Sequence, residues 1–400
     1  MRKNFLLFGA PRIEEAEIKE VVATLRSGWL STGPKVHRFE EMFREYIGSK
    51  FALALNSCTA GLHLSMVAIG IGPGDEVITT PLTFCATANS IIHTGARPVF
   101  VDVDAQTFNL SPQKINECIE RDYYIDHKTG SPVNKETHKH LRAIVPVHFA
   151  GRPCDMKQIR AIARKYNLYV IEDAAHCIEG VYKNRKVGTI GDLTCFSFYA
   201  TKNLVTGEGG MVTTDNREFA QRIEMYGLHG MSKGAWHRYS DKGHVKYQVV
   251  YPGFKYNMMD IQASLGIHQL KRIGNYLKKR EKIWKRYNVA FAGLSITLPA
   301  PVEGDTVHAR HLYTILVPKT VTGISRDEMQ QRLHKRNIGT GIHFTALHLS
   351  PYYQHNFGYK KGDFPNAEYV SDTTLSLPLS AKLTASDVED VIAAVKSILK

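Results

Sequence analysis

The 400-residue sequence lacks long apolar runs and paired cysteines. No stretch approaches the roughly 18 consecutive apolar residues of a membrane-spanning helix, so we expect no such helix and no membrane partner. The apolar run after Met1 is short and ends before Pro11, which argues against a signal-peptide core and predicts a cytoplasmic protein. The six cysteines are scattered without a Cys-x-x-Cys pair, a pattern typical of reduced thiols in the cytoplasm.

Metal and dinucleotide motifs are missing as well. The sequence has neither His-Glu-x-x-His nor a Cys/His cluster at metal-ligand spacing, so we expect no metal. Gly70, Gly72 and Gly74 precede an expected strand, unlike the glycines of a dinucleotide-binding fingerprint. Acidic residues are outnumbered, 38 against 51 basic, and the formal net charge of +13 favours an anionic partner. Because the basic residues are dispersed, we expect small phosphates and no nucleic acid.

What the sequence does contain is an alternation of strand-like and helix-like segments. Hydrophobic residues make up 43% and charged residues 22%, as in a soluble globular protein. Continuous apolar runs between amphipathic segments predict an α/β fold whose mainly parallel sheet is covered on both faces. The expected strands lie at 76–80, 98–101, 143–149, 168–171, 194–198 and 211–213. The expected helices lie at 35–47, 156–166 and 218–226.

The character of the chain changes after about residue 265. A long basic amphipathic stretch at 267–292 leads into strand–helix–strand material at 311–343 and a final helix at 386–399. We therefore predict two domains, a large α/β domain at 1–265 and a smaller α+β domain at 266–400. The polar segment 121–140 is expected to be a surface insertion between strands.

Three local patterns carry chemistry. Lys202 follows Ser197 by five residues in a loop rich in Ser, Thr and Gly, which is suited to a lysine that forms a Schiff base beside an anionic cofactor. Asp173 follows a buried strand, at the sheet edge where α/β proteins bind ligands. Small residues from Asn56 to Gly61 precede an apolar helix, whose N-terminus suits a phosphate. The alternatives are a surface lysine and two ordinary helix caps. Together the three patterns match a pyridoxal phosphate (PLP) site.

Nearly the whole chain resembles the DegT/DnrJ/EryC1/StrS family of sugar aminotransferases, which have the PLP-dependent fold type I. The resemblance implies a large domain around a mostly parallel seven-stranded sheet and a smaller C-terminal domain. The motifs that carry it are SGWLSTG at 27–33, GPGDEV at 72–77, PVFVDVD at 98–104, EDAAH at 172–176, FSFYATK at 196–202, GEGG at 207–210, GFKYNM at 253–258 and LSLP at 375–378.

The resemblance implies a role for each matching residue around the cofactor ring. Lys202 would hold the cofactor covalently and then move the proton, and Asp173 would keep the ring nitrogen protonated. His176 would lie near the ring hydroxyl, and Phe84 would cover the ring face. A lysine at 202 favours amino transfer, because the dehydratase relatives carry histidine there.

The family pattern also implies contacts to the cofactor phosphate. Cys58, Thr59 and Ser197 would bind it within one subunit. Asn257 matches the asparagine that reaches the phosphate of the other subunit. The resemblance therefore implies a homodimer with shared active sites.

The implied substrates are L-glutamate as amino donor and a nucleotide-linked keto-sugar as acceptor. The sequences of these motifs are most similar to those of family members that use a UDP-linked 4-keto sugar. The resemblance thus favours such a sugar, aminated for a surface polysaccharide or lipopolysaccharide. Alternatives are a dTDP- or GDP-linked sugar, or a non-catalytic regulatory protein that carries PLP. The expected substrate-binding residues are Trp29, Leu30, Ser31, His229 and His343, with the basic and aromatic segment 228–239 as a pyrophosphate or base contact, or else a solvated loop.

One competing motif concerns metal-dependent sugar chemistry. Asp102 and Asp104 form an Asp-x-Asp pair like that of a nucleotide-sugar glycosyltransferase. The other interpretation is two carboxylates at a strand end. A glycosyltransferase would give no reason for Lys202, so we favour the aminotransferase.

Overall fold

A computed structural model describes residues 2–232 and 248–399. The strands are β1 (Phe51–Leu55), β2 (Asp75–Thr79), β3 (Arg97–Phe100), β4 (Tyr123–Ile125), β5 (Pro132–Asn134), β6 (His140–Ile144), β7 (Tyr169–Asp173), β8 (Val181–Tyr182), β9 (Arg185–Lys186), β10 (Leu193–Ser197), β11 (Gly210–Thr214), β12 (Tyr313–Leu316) and β13 (Thr374–Leu377). The helices are α1 (Glu15–Ser27), α2 (Pro34–Ile47), α3 (Cys58–Ala68), α4 (Cys85–His93), α5 (Pro112–Asp122), α6 (Met156–Lys165), α7 (Arg217–Tyr226), α8 (Asp260–Phe291), α9 (Lys319–Thr322), α10 (Arg326–His334), α11 (Pro351–Phe357), α12 (Pro365–Thr373) and α13 (Ala385–Leu399).

The central sheet confirms the predicted fold class. Its main path has the strand order β1-β11-β10-β7-β6-β2-β3. The pairs from β10 to β3 are parallel, and β11 runs antiparallel to both of its neighbours. Strand β7 is nearly all buried, as expected of a parallel strand covered on both faces. The result is a mainly parallel sheet with seven strands on its main path, β4 and β5 beside that path, and helices on both sides.

Helix α3 covers one face of this sheet. Its Leu62, Leu64 and Met66 are buried in a cluster that includes Cys195 and Val212 from the sheet. Apolar residues surround the helix on nearly every side, which explains why its sequence shows little amphipathic periodicity. The packing fixes the N-terminus of α3 at the carboxyl edge of β10, where the functional residues collect.

The C-terminal part has its own apolar core. Strands β12 and β13 pair antiparallel, and Tyr287, Tyr313, Met329, Leu375 and Val391 pack around them. Helix α8 is 32 residues long and begins before the predicted domain boundary at 265/266, so this boundary falls inside a helix. The division into two domains at that residue stays a prediction.

The polar segment 121–140 forms a hairpin of β4 and β5, joined to the main sheet through β6. The fully buried Glu76 on β2 anchors it. The Tyr123 hydroxyl donates to Glu76 at 2.6 Å, and the Thr137 hydroxyl donates to the same carboxylate at 2.8 Å. The insertion is therefore tied to the sheet by charge-assisted hydrogen bonds. No helix in the described ranges is both long and apolar enough to cross a membrane.

Candidate active site

A cavity of about 450 Å³ opens where β7 and β10 end. Because these strands are parallel, their carboxyl ends meet at one sheet edge, and Asp173 pairs in register with Cys195. The structure gathers eight of the predicted site residues around this cavity: Cys58, Thr59, Phe84, Asp173, His176, Ser197, Lys202 and His343.

Lys202 lies in the loop between β10 and β11, partly buried at the floor of the cavity. Its backbone N–H donates to the Tyr199 carbonyl at 2.9 Å, which fixes a turn. Burial lowers the pKa of the Lys202 amine to about 8, against the opposing influence of Cys58 and Asp173. A substantial fraction of the side chain is then uncharged at mildly basic pH and able to act as a nucleophile or base.

Asp173 is held by two donors. The Thr87 hydroxyl donates to Oδ2 at 2.7 Å, and the Ala175 backbone N–H donates to Oδ1 at 3.1 Å. Burial nevertheless raises the pKa of Asp173 above its ordinary value. A buried carboxylate of this kind is best stabilised by a cationic partner, such as a protonated ring nitrogen.

The N-terminus of α3 forms the opposite wall. The Ser57 hydroxyl accepts a hydrogen bond from the Ala60 N–H at 3.0 Å and caps the helix. Gly210, the first residue of β11, passes so close that an added Cβ would lie 2.5 Å from the Cys58 nitrogen. The missing side chain lets the strand pass directly beneath the start of the helix. Cys58 and Thr59 thus present backbone amides and a hydroxyl to the cavity, a suitable site for a phosphate.

Aromatic rings close the remaining side. The rings of His176 and His311 are 4.4 Å apart, and Phe344 stacks on His176 at 5.8 Å with an interplanar angle of 15°. Burial holds the pKa of His176 well below its ordinary value and lowers that of His343 to about 4. Both imidazoles are therefore neutral at physiological pH.

Five predicted residues lie outside this cavity in the described chain. Asn257 is one of them: its Nδ2 donates to the Thr32 hydroxyl at 2.6 Å, and the residue lines a separate cavity of about 180 Å³. Trp29 donates to the Thr32 carbonyl at 3.0 Å. The other three are Leu30, Ser31 and His229. Of the predicted segment 228–239, residues 233–239 lie outside the described residues.

The carboxylates of Asp102 and Asp104 accept hydrogen bonds from backbone N–H groups. The Asp102 carboxylate accepts hydrogen bonds from the backbone N–H groups of Asn366 and Ala367 at 3.0 and 2.9 Å, at the start of α12. Asp104 accepts the N–H of Thr107 at 2.8 Å. Both carboxylates are therefore engaged by backbone amides, which supports the interpretation as structural residues.

Comparison with known proteins identifies the family. The sequence model of the DegT/DnrJ/EryC1/StrS aminotransferase family matches residues 11–396. The chain belongs to this family. This aminotransferase is 51% identical over 400 residues to the spore coat polysaccharide biosynthesis protein SpsC of Bacillus subtilis, covering 100% of the chain and 98% of SpsC.

Solved structures agree with this assignment. The PLP form of Spr1654 from Streptococcus pneumoniae is 33% identical, with a TM-score of 0.86 over 99% of this chain and 98% of that one. Helicobacter pylori PseC, an aminotransferase of pseudoaminic acid biosynthesis, is 27% identical, with a TM-score of 0.87 over 99% of both chains. The resemblance, the fold type I architecture and the PLP-dependent aminotransferase class are thereby confirmed.

The cavity of the aminotransferase fits this cofactor. Nδ1 of His176 is buried without a hydrogen-bond partner in the described residues. A buried polar atom normally has such a partner, and the cofactor would supply one. The Asp173 carboxylate suits a protonated ring nitrogen, and the start of α3 suits a phosphate. The donor and acceptor types therefore match an aromatic cation at one end and a dianion at the other.

Sequence reasoning missed three residues of the site. Thr87 holds Asp173, while His311 and Phe344 pack against His176. Thr87 lies on the first turn of α4, three residues after the predicted Phe84, and this spacing could have been used to find it. Phe344 directly follows the predicted His343, so its position was also a signal. His311 comes from the C-terminal part of the chain, and no local pattern marks it.

Proposed function

We propose that this aminotransferase moves the amino group of L-glutamate to a UDP-linked 4-keto sugar, giving an amino sugar for a surface polysaccharide or lipopolysaccharide. The observation that carries the proposal is the placement of Lys202 and Asp173 in one cavity at the sheet edge. The names of SpsC and PseC, which concern a spore coat polysaccharide and pseudoaminic acid, support a sugar acceptor. The cytoplasm is the proposed location.

PLP, when bound, supplies a protonated ring that accepts the electron pair left by a broken C–H bond. Asp173 would stabilise the positive ring nitrogen, with Thr87 and Ala175 holding its carboxylate in place. The amide and hydroxyl groups of Cys58, Thr59 and Ser197 would bind the phosphate.

Lys202 would do the acid–base work. With a pKa lowered by burial to about 8, its amine is able to accept a proton from the substrate carbon and return it at neutral to mildly basic pH. The neutral rings of His176 and His343 add no competing positive charge beside it. A positioned base of this kind contributes roughly 10²- to 10⁴-fold to the rate.

A homodimer with shared sites is part of the proposal. Helix α1 carries Ile18, Val22 and Leu25 on one face with exposures of 50, 37 and 51%, and Trp29 follows at 44%. Phe84, at the cavity itself, is 61% exposed. Exposed apolar side chains that share one helix face are a feature of protein interfaces. We propose that a second copy of the chain covers them and that Asn257 reaches the partner's cofactor phosphate, as the family resemblance implies.

The substrate assignment is tested by an acceptor panel. Purified enzyme with L-glutamate is offered UDP-, dTDP- and GDP-linked 4-keto sugars, and the products are identified by mass spectrometry. We expect the UDP-linked sugar to give the highest kcat/KM. Turnover of only the dTDP- or GDP-linked sugar would refute the UDP assignment but leave the aminotransferase intact, whereas no glutamate-dependent amination of any sugar would refute both.

A further inference from the structure

His311 is a residue of the cavity wall that the proposed chemistry does not use. It lines the cavity beside His176, with 6% of its surface exposed. Its Nδ1 lies 3.1 Å from the side-chain oxygen of Asn203, the residue after Lys202. The environment of Asn203 determines which nitrogen of the His311 ring carries the proton.

Asn203 is oriented by two obligatory acceptors. Its Nδ2 donates to the Glu179 carboxylate at 2.8 Å and to the Ala309 carbonyl at 3.0 Å. Neither group is able to donate, so the amide nitrogen must face them and the amide oxygen must face His311. Glu179 is itself fixed as a carboxylate by a buried ion pair with Arg280.

The chain of bonds therefore sets the tautomer of His311. An amide oxygen only accepts, so the proton is on Nδ1 of the imidazole and Nε2 keeps its lone pair. Burial, reinforced by the nearby charge of Lys202, holds the pKa of His311 well below its ordinary value, so the ring stays neutral. Among the described residues, Nε2 has no hydrogen-bond partner, and it is not among the fully buried unpaired atoms.

An acceptor fixed beside Lys202 requires a donor from the ligand. The group that this reaction brings to Lys202 is a primary amine, which has N–H bonds to donate. We propose that Nε2 of His311 accepts a hydrogen bond from the amine of the aminated cofactor, and that the Arg280–Glu179–Asn203 chain positions His311 for this contact. The proposal rests on the proposed roles of the cavity residues.

The arrangement has a second consequence for selectivity. A fixed acceptor discriminates between a ligand that has an N–H donor and an otherwise equal ligand without one, because the ligand without the donor leaves Nε2 of the imidazole unpaired. Asn203 acts here as a positioning residue, since it touches His311 and not the cavity contents. His311 itself would touch the cofactor.

Two variants separate the two nitrogens of His311. In His311→Asn the side-chain amide replaces Nδ1 and leaves no acceptor at the place of Nε2. In His311→Gln the amide reaches the place of Nε2 and restores an acceptor. The apoenzyme is titrated calorimetrically with pyridoxamine phosphate and with deoxypyridoxine phosphate, which carries a methyl group in place of the aminomethyl group.

We expect wild type to prefer pyridoxamine phosphate, His311→Asn to lose about tenfold of that preference, and His311→Gln to stay within about threefold of wild type. An unchanged preference in His311→Asn would overturn the inference. Equal weakening of both ligands would assign His311 a structural role and also overturn it. If wild type binds neither compound, the proposed cofactor site itself fails, so the two failures are distinguishable.

Nitrogen-15 NMR of histidine-labelled apoenzyme tests the tautomer without any ligand. Subtracting the His311→Asn spectrum identifies the His311 signals. We expect a protonated Nδ1 and an unprotonated Nε2 in wild type, and mixed tautomers in Asn203→Ala, which a purely structural Asn203 would not produce. A proton on Nε2 in wild type would refute the positioning argument.

Discussion

The hydroxyl of Thr87 is the sharpest point at which to perturb the site. It donates to the Asp173 carboxylate at 2.7 Å, and the Thr83 hydroxyl lies 2.8 Å from the Thr87 hydroxyl. Because the Thr87 proton goes to Asp173, Thr83 must donate to Thr87. Thr87→Val removes the hydrogen bond from the carboxylate at nearly constant volume, while Thr83→Val removes only the outer bond and is the matched control.

The expected size of the effect follows from the type of bond. A hydrogen bond to a charged group contributes about 1.5–3 kcal/mol, which corresponds to roughly 10- to 100-fold in a rate or equilibrium. Thr87 opposes the rise in the pKa of Asp173 that burial causes, so its loss raises that pKa further. We therefore expect kcat/KM for L-glutamate to fall by about this factor in Thr87→Val, with the acid limb of its pH profile displaced to higher pH.

The assay is kcat/KM for L-glutamate between about pH 5 and 9, followed by cofactor absorbance in single turnovers. Thermal unfolding of both variants controls for loss of stability. Thr83→Val should keep the wild-type acid limb. An unmoved acid limb in Thr87→Val, or an equal displacement in both variants, would show that the Thr87 bond does not support Asp173.

Three further predictions concern other parts of the molecule. Lys202→Ala should bring turnover more than about 10²-fold below wild type while circular dichroism stays unchanged, and full activity of the purified variant would contradict its assignment. If dimers share sites, mixing Lys202→Ala with Asn257→Ala subunits, each nearly inactive alone, should restore up to about a quarter of wild-type activity, because half of the dimers are mixed and each has one intact site; no recovery after proven subunit exchange would count against shared sites. Burial raises the pKa of Glu20, but Lys35 and His268 lower it to about 2, below the value of about 4.3 in the unfolded chain. The ionised Glu20 therefore contributes fully to the free energy of unfolding above about pH 4.3, and this contribution is lost as the pH falls toward 2. Urea unfolding at about pH 5 and about pH 3 should accordingly show a smaller acid loss of stability in Glu20→Gln than in wild type, with exposed Glu15→Gln as the control.

The sequence was most informative where chemistry follows a buried strand. Asp173 and Lys202 could be predicted because a continuous apolar run ends beside each, and parallel strands bring such ends to one edge. Strand β1 was missed because its five residues run directly into the small residues before α3. His311 could not be found, since its place depends on the docking of a segment more than 100 residues from Asn203. Long-range packing of this kind leaves no local period to detect.

The antiparallel direction of β11 determines how the chain holds Lys202. A parallel return would require a crossover to the opposite edge of the sheet. Here residues 198–209 leave and re-enter the sheet at the same edge. The Phe198 N–H donates to the Gly209 carbonyl and the Thr206 N–H donates to the Phe198 carbonyl, both at 2.9 Å, and these two bonds close the loop. Lys202 thus lies in a short loop that hydrogen bonds close at both ends. Ordering this loop when a ligand binds costs little additional conformational entropy. The position of Lys202 is therefore set by the backbone of the sheet itself.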